Sequence, residues 1–433
     1  MNSLFDNLEN RFKLDKPVRL IELFAGIGAQ AKALENLGID FEHYRVCEID
    51  KYAVASYNAI HGTNFEISDI TKLSSNDLGI VDTNTYIYIL TYSFPCQDLS
   101  LAGKQKGMKK GTQTRSGLLW EVERLLKGCK ELPQVLLMEN VPQVHSSKNY
   151  EDFKDWQNFL SNLGYQNTWA DLNAKNYGIP QNRNRTFMVS ILGNSFYEFP
   201  EPFPLKLKLG DYLEPVVDEK YYLSAKLIDY FTDMKNRNGF LRGMKFTPKF
   251  AIKDKIARTI TTKAGSGPCD NYIVEPVITL DGKVIVPQAT KDGYAIAEIG
   301  DGIYTNRCIS KRGVVQKDKI PTLKTSGNDI VVVVTKDSEN YIQWEQKGCF
   351  DIECRTYKED KVSGALNTYG HMKVLTNDVA IRRLTPLECF RLMGFEDEDF
   401  EKASKVNSNT QLYKQAGNSI VVNVLMEIFR KMG

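Results

Sequence analysis

A cysteine in the segment 91–100 (TYSFPCQDLS) has the surroundings of a candidate nucleophile. The segment follows an apolar, strand-like run at 86–90, and Cys96 comes directly after Pro95, whose ring fixes its own backbone angle. A thiolate at a strand end that opens into a loop can reach a bound substrate, but a lone cysteine can equally be a buried structural thiol. The rest of the chain must decide between these two interpretations.

Two further positions could supply acid–base and electrostatic chemistry. Glu139 follows the apolar run 133–138, and in open α/β sheets sites assemble where strands end. Arg183 and Arg185 lie two residues apart on a predicted strand, so they would point the same way and could hold an anion or a carbonyl oxygen. Judged alone, an acid leaving a strand is usually solvated, and such arginines can belong to a surface strand.

A glycine-rich turn near the N-terminus could bind a cofactor. Gly26 and Gly28 follow an apolar run and precede a predicted helix at 32–37, and glycines at such a turn let a ligand approach the backbone amides. Glu48, about 20 residues further on, lies where a nucleoside ribose would offer its hydroxyls. Asp69 could contact an adenine or cap a helix. A nicotinamide dinucleotide, another adenosine-bearing cofactor and an ordinary β–α turn all fit this pattern.

These groups require a sheet that brings several strand ends together. Up to about residue 199, apolar runs alternate with amphipathic segments, which is the pattern of a doubly wound α/β sheet. Short β-rich runs with Gly, Pro, Asn and Asp turns then replace it. We predict a catalytic and cofactor-binding domain at 1–199, a mostly β domain at 200–380, a junction at 381–412 and a returning C-terminal helix at 413–433. Within the second domain, the segments 254–262, 318–325 and 360–368 have similar sequences. They are either copies of a repeated strand–turn unit or hairpins that are similar by chance.

Composition excludes several classes of protein. The chain has 433 residues with 42% apolar content, which is enough for a large core and two domains. Its formal net charge of +2 means that a polyanion must bind a local patch, and the segment 99–120 has four lysines, one arginine and no acid. Eight cysteines without a CxxC pair and four scattered histidines predict neither a disulfide framework nor a metal site. A polar N-terminus and short apolar runs predict a soluble intracellular protein.

Taken in order, the motifs resemble the cytosine-5 DNA methyltransferase family. The matching segments are FAGIG at 24–28, Glu48, Asp69, PCQ at 95–97, ENV at 139–141, QNRNR at 181–185, RLTPLEC at 383–389 and QAGNS at 415–419. They span nearly the whole chain, and the context of Cys96 is similar to a bacterial branch that includes CG methyltransferases. Asn184 departs from the glutamate that the family often has between the two arginines.

The resemblance implies a fold and a reaction. The fold would be the Rossmann-like, doubly wound mixed sheet of class I S-adenosylmethionine-dependent methyltransferases, with a mostly β target-recognition domain. Cys96 would attack C6 of a flipped-out cytosine, C5 would take the methyl group, and S-adenosyl-L-homocysteine would leave. Glu139 would contact the ring N3 and the exocyclic amine, and Arg185, with Arg183 beside it, would meet charge at O2.

The resemblance also implies which residues bind cofactor and DNA. Cofactor contacts are expected from Phe24, Gly26, Ile27, Gly28, Glu48, Ile49, Asp69, Ile70, Pro95, Leu119 and Asn418. DNA contacts are expected from Gln97, Ser100, Lys104, Lys106, Arg115, Arg258 and Arg307. The basic loop after Cys96 would close over the flipped base.

Three alternatives compete with this interpretation. Transfer-RNA cytosine-5 methyltransferases of the DNA-enzyme-like type have Pro-Pro-Cys-Gln and Cys-Phe-Thr, whereas this chain has FPCQ at 94–97 and no Cys-Phe-Thr. An inactive DNA-binding homologue would have lost Cys96, Glu139 or Arg185, and a nicotinamide oxidoreductase would not need them. We expect a monomeric, cytoplasmic enzyme of a bacterium or phage-infected host. It would act on double-stranded DNA in restriction–modification, with any cognate endonuclease separate and no membrane partner.

Overall fold

The chain forms two compact units. The computed structural model describes residues 10–95, 99, 108, 115–215, 217–221, 250–251, 256–262, 264–265, 271–277, 284–287, 294–297, 302–304, 315–316, 330–334, 372–376 and 378–433. The first unit comprises Met1–Pro215, Ile252–Gly267 and Leu384–Gly433, and the second comprises Val216–Ala251 and Pro268–Arg383. The predicted functional boundaries at 199/200 and 380/381 stay predictions, and the units divide at different places.

Strands and helices alternate at the start of the chain, and strands predominate among the described residues of its middle. The strands are β1 (Val18–Leu23), β2 (Phe41–Cys47), β3 (Ile87–Tyr92), β4 (Val135–Asn140), β5 (Tyr165–Asn173), β6 (Gln181–Asn182), β7 (Asn184–Leu192), β8 (Phe250–Ala251), β9 (Ala257–Arg258), β10 (Tyr272–Val277), β11 (Val284–Pro287), β12 (Tyr294–Ala297), β13 (Gly302–Tyr304), β14 (Val315–Gln316), β15 (Ile330–Val334), β16 (Met372–Thr376) and β17 (Asp378–Arg383). The α-helices are α1 (Ala29–Asn36), α2 (Lys51–His61), α3 (Leu119–Gly128), α4 (Tyr150–Asn162), α5 (Pro386–Arg391), α6 (Asp397–Ser404), α7 (Asn409–Asn418) and α8 (Val422–Arg430).

A six-stranded mixed sheet forms the centre of the first unit, in the order β2-β1-β3-β4-β7-β5. The first four of these strands run parallel, whereas β7 runs antiparallel to both β4 and β5. Every residue of β3 and β4 is buried, as expected for central strands covered on both faces. The predicted Rossmann-like, doubly wound mixed sheet is confirmed.

Capping residues and apolar periodicity in the sequence account for the helices α5 and α8 near the C-terminus. Helix α5 begins with a capping box, in which the Glu388 amide donates to the Thr385 hydroxyl (3.1 Å) and the Thr385 amide donates to the Glu388 carboxylate (2.8 Å). The helix ends at Arg391. In α8, Val422, Leu425, Ile428 and Phe429 lie on one buried face at helical spacing.

A short segment of the middle of the chain belongs to the first unit. In this returning segment (256–262), β9 pairs in parallel with β6. The Ala257 amide donates to the Pro180 carbonyl (2.6 Å), and the Ile260 amide donates to Gln181 Oε1 (2.9 Å). These backbone groups find their partners in the first unit, which explains why the segment lies there.

The described residues of the second unit are strands and one 3-10 turn at Glu219–Tyr221. They form a three-stranded sheet (β17-β10-β8), a two-stranded sheet (β11-β12) and a four-stranded sheet (β14-β13-β15-β16). Two of the three repeat-like segments, 318–325 and 360–368, lie outside the described residues, so the repeat stays a hypothesis. Among the described residues, no helix is both long enough and apolar enough to cross a membrane.

Gly417 lets α7 pack against the returning segment. A Cβ atom at this position would lie 2.2 Å from the Thr262 nitrogen and 2.3 Å from the Thr261 carbonyl carbon, both main-chain atoms. Backbone cannot move aside as a flexible side chain can, so only glycine fits here.

We therefore expect Gly417→Ala to lower the free energy of unfolding by about 1–3 kcal/mol through overpacking. Urea unfolding followed by tryptophan fluorescence would measure this, because Trp120, Trp156 and Trp169 belong to the first unit. Thr410→Ala is the matched control, since Thr410 is exposed on the same helix. Equal stability of Gly417→Ala and the control would contradict the packing.

Candidate active site

A cavity of about 270 Å³ lies where the strands of the central sheet end. The parallel strands β1 to β4 deliver their carboxyl ends to it, and β7, being antiparallel, begins at the same edge. This edge is where sites assemble in open α/β sheets. The C-terminal end of α7 completes the lining with Gln415, Gly417 and Asn418.

The glycine-rich turn after β1 is closed by a carboxylate. Glu48 accepts hydrogen bonds from the Gly26 amide through Oε2 and from the Asp50 amide through Oε1, each at 2.9 Å. It thereby joins the ends of β1 and β2. Gly26 has φ 58°, in the left-handed region that favours glycine. Glu48 and Gly26 both line the cavity, as predicted for a cofactor turn.

Gly28 lies behind the turn, and its predicted cofactor contact stays a prediction. It does not line the cavity but precedes α1 with φ 79°, and a Cβ atom there would lie 2.2 Å from His61 Nε2 and 2.7 Å from Tyr57 Cε2. The turn therefore rests directly on side chains of α2. His61 Nε2 also donates to the Ile27 carbonyl (3.1 Å).

Two aspartates at the rim cap helices. Asp69 accepts from the Thr71 hydroxyl (2.8 Å) and amide (3.0 Å), and these bonds lower its pKa. Asp50 caps α2 through the Tyr52 amide and pairs with Lys414 at 2.6 Å. Burial would raise the pKa of Asp50, but the bonds from Lys414 and Tyr52 lower it. Asp69 therefore caps a 3-10 turn and also lines the cavity, and its predicted contact with an adenine stays a prediction.

Glu139 and Arg185 face each other across the sheet edge. Asn140 of β4 is paired with Thr186 of β7, which sets the Arg185 Nε 3.2 Å from Glu139 Oε1. Glu139 is 8% exposed. Burial raises its pKa, and the positive charges of Arg185 and Arg183 partly oppose that rise. The result is a buried carboxyl whose proton is held more tightly than usual beside a fixed guanidinium.

Arg183 does not share a strand with Arg185. It lies between β6 and β7, where its guanidinium donates to the carbonyls of Ile260 (2.8 Å), Gly417 (3.1 Å) and Ser419 (2.6 Å). These contacts bind the returning segment and the end of α7 to the sheet. They favour a positioning role for Arg183, and its predicted catalytic role stays a prediction.

Asn140 fixes the exit of β3, which leads to the candidate nucleophile. Its Nδ2 donates to the Phe94 carbonyl (2.9 Å), and its Oδ1 accepts from the Val141 amide (2.9 Å). Ser93, Phe94 and Pro95 line the cavity. The described residues that precede Cys96 therefore line the same cavity as Glu139 and Arg185.

The structure brings most of the predicted site residues together. The cavity is lined by Phe24, Gly26, Ile27, Glu48, Ile49, Asp69, Ile70, Pro95, Glu139, Arg183, Arg185 and Asn418. Leu119 is instead buried in the core, and its neighbour Leu118 lines the cavity. Arg258 is exposed on β9, and the side chain of Arg115 is not described. Outside the described residues lie Cys96, Gln97, Ser100, Lys104, Lys106 and Arg307.

Sequence reasoning missed several residues of the cavity. Asn140 and Ser419 stood inside quoted motifs without an assigned role, so their motifs were the available signal. No sequence signal pointed to Lys414, because its partner Asp50 is 364 residues away in the chain.

Most of the chain is similar to proteins of known family. Residues 18–433 match the family model described as C-5 cytosine-specific DNA methylase. The type II methyltransferase M2.ScrFI of Lactococcus lactis subsp. cremoris is 30% identical, covering 96% of this chain and 99% of that protein. The orphan methyltransferase M.SssI of Spiroplasma monobiae is 37% identical, covering 51% and 71% respectively. The Entamoeba histolytica methyltransferase EhMeth has a similar fold, with TM-score 0.60, 17% identity, and coverage of 96% of this chain and 98% of that chain.

The balance of charges around Glu139 can be measured directly. We expect an infrared titration of its carboxyl, isolated by subtracting the spectrum of Glu139→Gln, to give a pKa above the ordinary value of 4.5. In Arg185→Ala the pKa should rise further, because burial then acts against one positive charge fewer. Arg185→Lys is the control that keeps the charge. A pKa unchanged or lowered in Arg185→Ala would contradict the arrangement.

Proposed function

Because the chain belongs to the C-5 cytosine-specific DNA methylase family, we propose that it methylates C5 of a cytosine in a specific duplex DNA sequence, with S-adenosylmethionine as methyl donor. The observation that carries this proposal is the pairing of a buried Glu139 with Arg185 at the cavity that the glycine-rich turn also lines. A base can be bound there beside a cofactor.

The cavity suits an adenosine-bearing methyl donor. Glu48 and Asp69 place two carboxylates along its rim, which can accept hydrogen bonds from ribose hydroxyls and an exocyclic amine. Ile49 is 65% exposed, and Ile70 is buried beside it, so apolar surface lies next to these acceptors. When bound, S-adenosylmethionine supplies an electrophilic methyl group.

Glu139 and Arg185 would manage the charge that develops on the cytosine ring. Burial raises the pKa of Glu139, so this carboxyl can share a proton with the ring N3. Arg185 would offer positive charge to O2 from a position fixed by Glu139 itself. Neither group needs to reorganise during the reaction, because β4 and β7 are hydrogen-bonded to each other.

Cys96 would be the nucleophile that activates C5. Its thiolate adds to C6, which makes C5 electron-rich. After methyl transfer, loss of the C5 proton and elimination of the thiol restore the aromatic ring. Asn140 holds the Phe94 carbonyl two residues upstream of Cys96. A stacked base cannot reach this cavity, so the cytosine must be flipped out of the duplex.

The DNA would contact polar and basic residues of the returning segment and of the segment that follows Cys96. Arg258 is exposed in the returning segment, and Gln97, Ser100, Lys104, Lys106 and Arg115 belong to the loop that follows Cys96 or to its end. Relatives are named both as type II and as orphan methyltransferases. We therefore infer that methylation needs no endonuclease subunit, and that any restriction partner acts as a separate protein.

The proposed reaction can be tested with one assay. Purified protein and S-adenosylmethionine should methylate a plasmid at a recurrent sequence, which bisulfite sequencing would identify. Cys96→Ser should lose methyl transfer but keep cofactor binding, because the thiolate is needed only for attack on C6. Wild-type rates in Cys96→Ser, or transfer to tRNA and not to plasmid, would contradict the proposal.

Gly28→Ala should weaken binding of S-adenosyl-L-homocysteine by about tenfold or more, because the methyl group would displace His61 and disturb the turn. Isothermal titration calorimetry would measure the affinity. Gly38→Ala is the matched control: Gly38 has φ 66°, but a Cβ atom there has nothing within 4 Å. If both variants bound as tightly as the native chain, the turn would not depend on its contact with α2.

A further inference from the structure

Two of the four histidines converge on one carboxylate behind the glycine-rich turn. Glu35 of α1, His43 of β2 and His61 of α2 each present a donor atom, and the three atoms lie within 4.8 Å of one another. His61 Nδ1 is 2.7 Å and His43 Nε2 is 3.6 Å from Glu35 Oε1. Two imidazoles and a carboxylate are ligands that Zn²⁺ and related transition metals prefer.

The outer nitrogen of each imidazole is held by a hydrogen bond. His61 Nε2 lies 3.1 Å from the Ile27 carbonyl, which can only accept, so this nitrogen carries a proton. The Tyr57 hydroxyl donates to Glu22 (2.5 Å), so its oxygen accepts from His43 Nδ1 (3.0 Å). Such bonds orient metal-ligating histidines and fix their tautomers.

These bonds leave an electrostatic mismatch at the centre of the cluster. With its proton on Nδ1, His43 directs the lone pair of Nε2 toward Glu35 Oε1, so two acceptors face each other at 3.6 Å. A cation between them would remove the mismatch. His61 Nδ1 lies 2.7 Å from the same oxygen, so both imidazoles converge on Glu35 Oε1.

We propose that Glu35, His43 and His61 form a binding site for a divalent transition metal such as Zn²⁺. Ligands around tetrahedral zinc are separated by about 3.3 Å. The two imidazole nitrogens lie 2.7 Å and 3.6 Å from Glu35 Oε1, and all three donor atoms lie within 4.8 Å of one another, so metal binding would draw them to that common spacing. The His61 side chain is fully buried, whereas those of His43 and Glu35 are 20% and 32% exposed. The metal would enter from that open side and keep a water as its fourth ligand.

The site is joined to the turn that would bind the methyl donor. His61 contacts the metal through one nitrogen and the Ile27 carbonyl through the other, so occupancy would fix the turn. Binding of metal and of S-adenosyl-L-homocysteine would then be coupled by about fivefold or more, and the coupling would be reciprocal. The coupling rests on the proposed function, since it assumes that the turn binds the methyl donor. Metal binding itself does not depend on that function.

The experiment uses the full chain, purified without a histidine tag and stripped with EDTA. Calorimetric titration with Zn²⁺ should show one equivalent bound. Co²⁺ should give a visible spectrum without a thiolate charge-transfer band. Glu35→Gln and His43→Asn should each weaken binding at least about tenfold. His43 is chosen over the fully buried His61 because its side chain is partly exposed, so its replacement should disturb folding less.

His145→Asn is the matched control. His145 also contacts a carboxylate (Asp171, 3.1 Å), but among the described residues it does not belong to a group of three potential metal ligands. It should bind metal as the native chain does. No stoichiometric binding, native affinity in both variants, or a thiolate band would overturn the site. Equal S-adenosyl-L-homocysteine affinity with and without Zn²⁺ would overturn the coupling, whether or not the protein methylates DNA.

Discussion

The candidate site depends on the direction of one strand. If β7 ran parallel to β4, its first residues would lie at the opposite edge of the sheet from Glu139. Because β7 is antiparallel, Arg185 emerges where β4 ends, and the backbone ladder between the strands fixes the 3.2 Å contact with Glu139. The glycine-rich turn and the exit of β3 meet them there only because β1 to β4 end at that edge.

Carbonyl groups from distant parts of the chain are gathered by Arg183. Its guanidinium donates hydrogen bonds to carbonyl oxygens of the returning segment and of the end of α7. Buried carbonyl groups need such partners, and the side chain supplies them in place of backbone amides. A planar guanidinium with five donors suits this task better than a lysine would. The cavity is therefore walled by segments that are separated by more than 200 residues in sequence.

The sequence allowed the sheet to be predicted, since buried strands give continuous apolar runs and β–α turns need glycine. It also located Glu48, Glu139 and Arg185, because each follows or begins a strand. It could not distinguish the roles of Arg183 and Arg185, since the difference lies in carbonyl partners 77 and 234 residues away. Nor could it show that Gly28 supports the turn from behind, because the contact is made with His61 of another helix. The loop that carries Cys96 lies outside the described residues, so its arrangement stays a prediction.

The returning segment has a consequence for how the second unit could be exchanged between related chains. The second unit is encoded by two stretches of chain, Val216–Ala251 and Pro268–Arg383, on either side of residues 252–267, which include Ile260, a hydrogen-bond acceptor for Arg183. A recombination event that replaced the whole middle of the gene would also replace the backbone that Arg183 holds. Crossovers that spare 252–267 would exchange the second unit and leave the backbone partner of Arg183 in that segment unchanged. An exchange of the second unit that keeps this backbone partner therefore has to replace two separate stretches of the gene, not one.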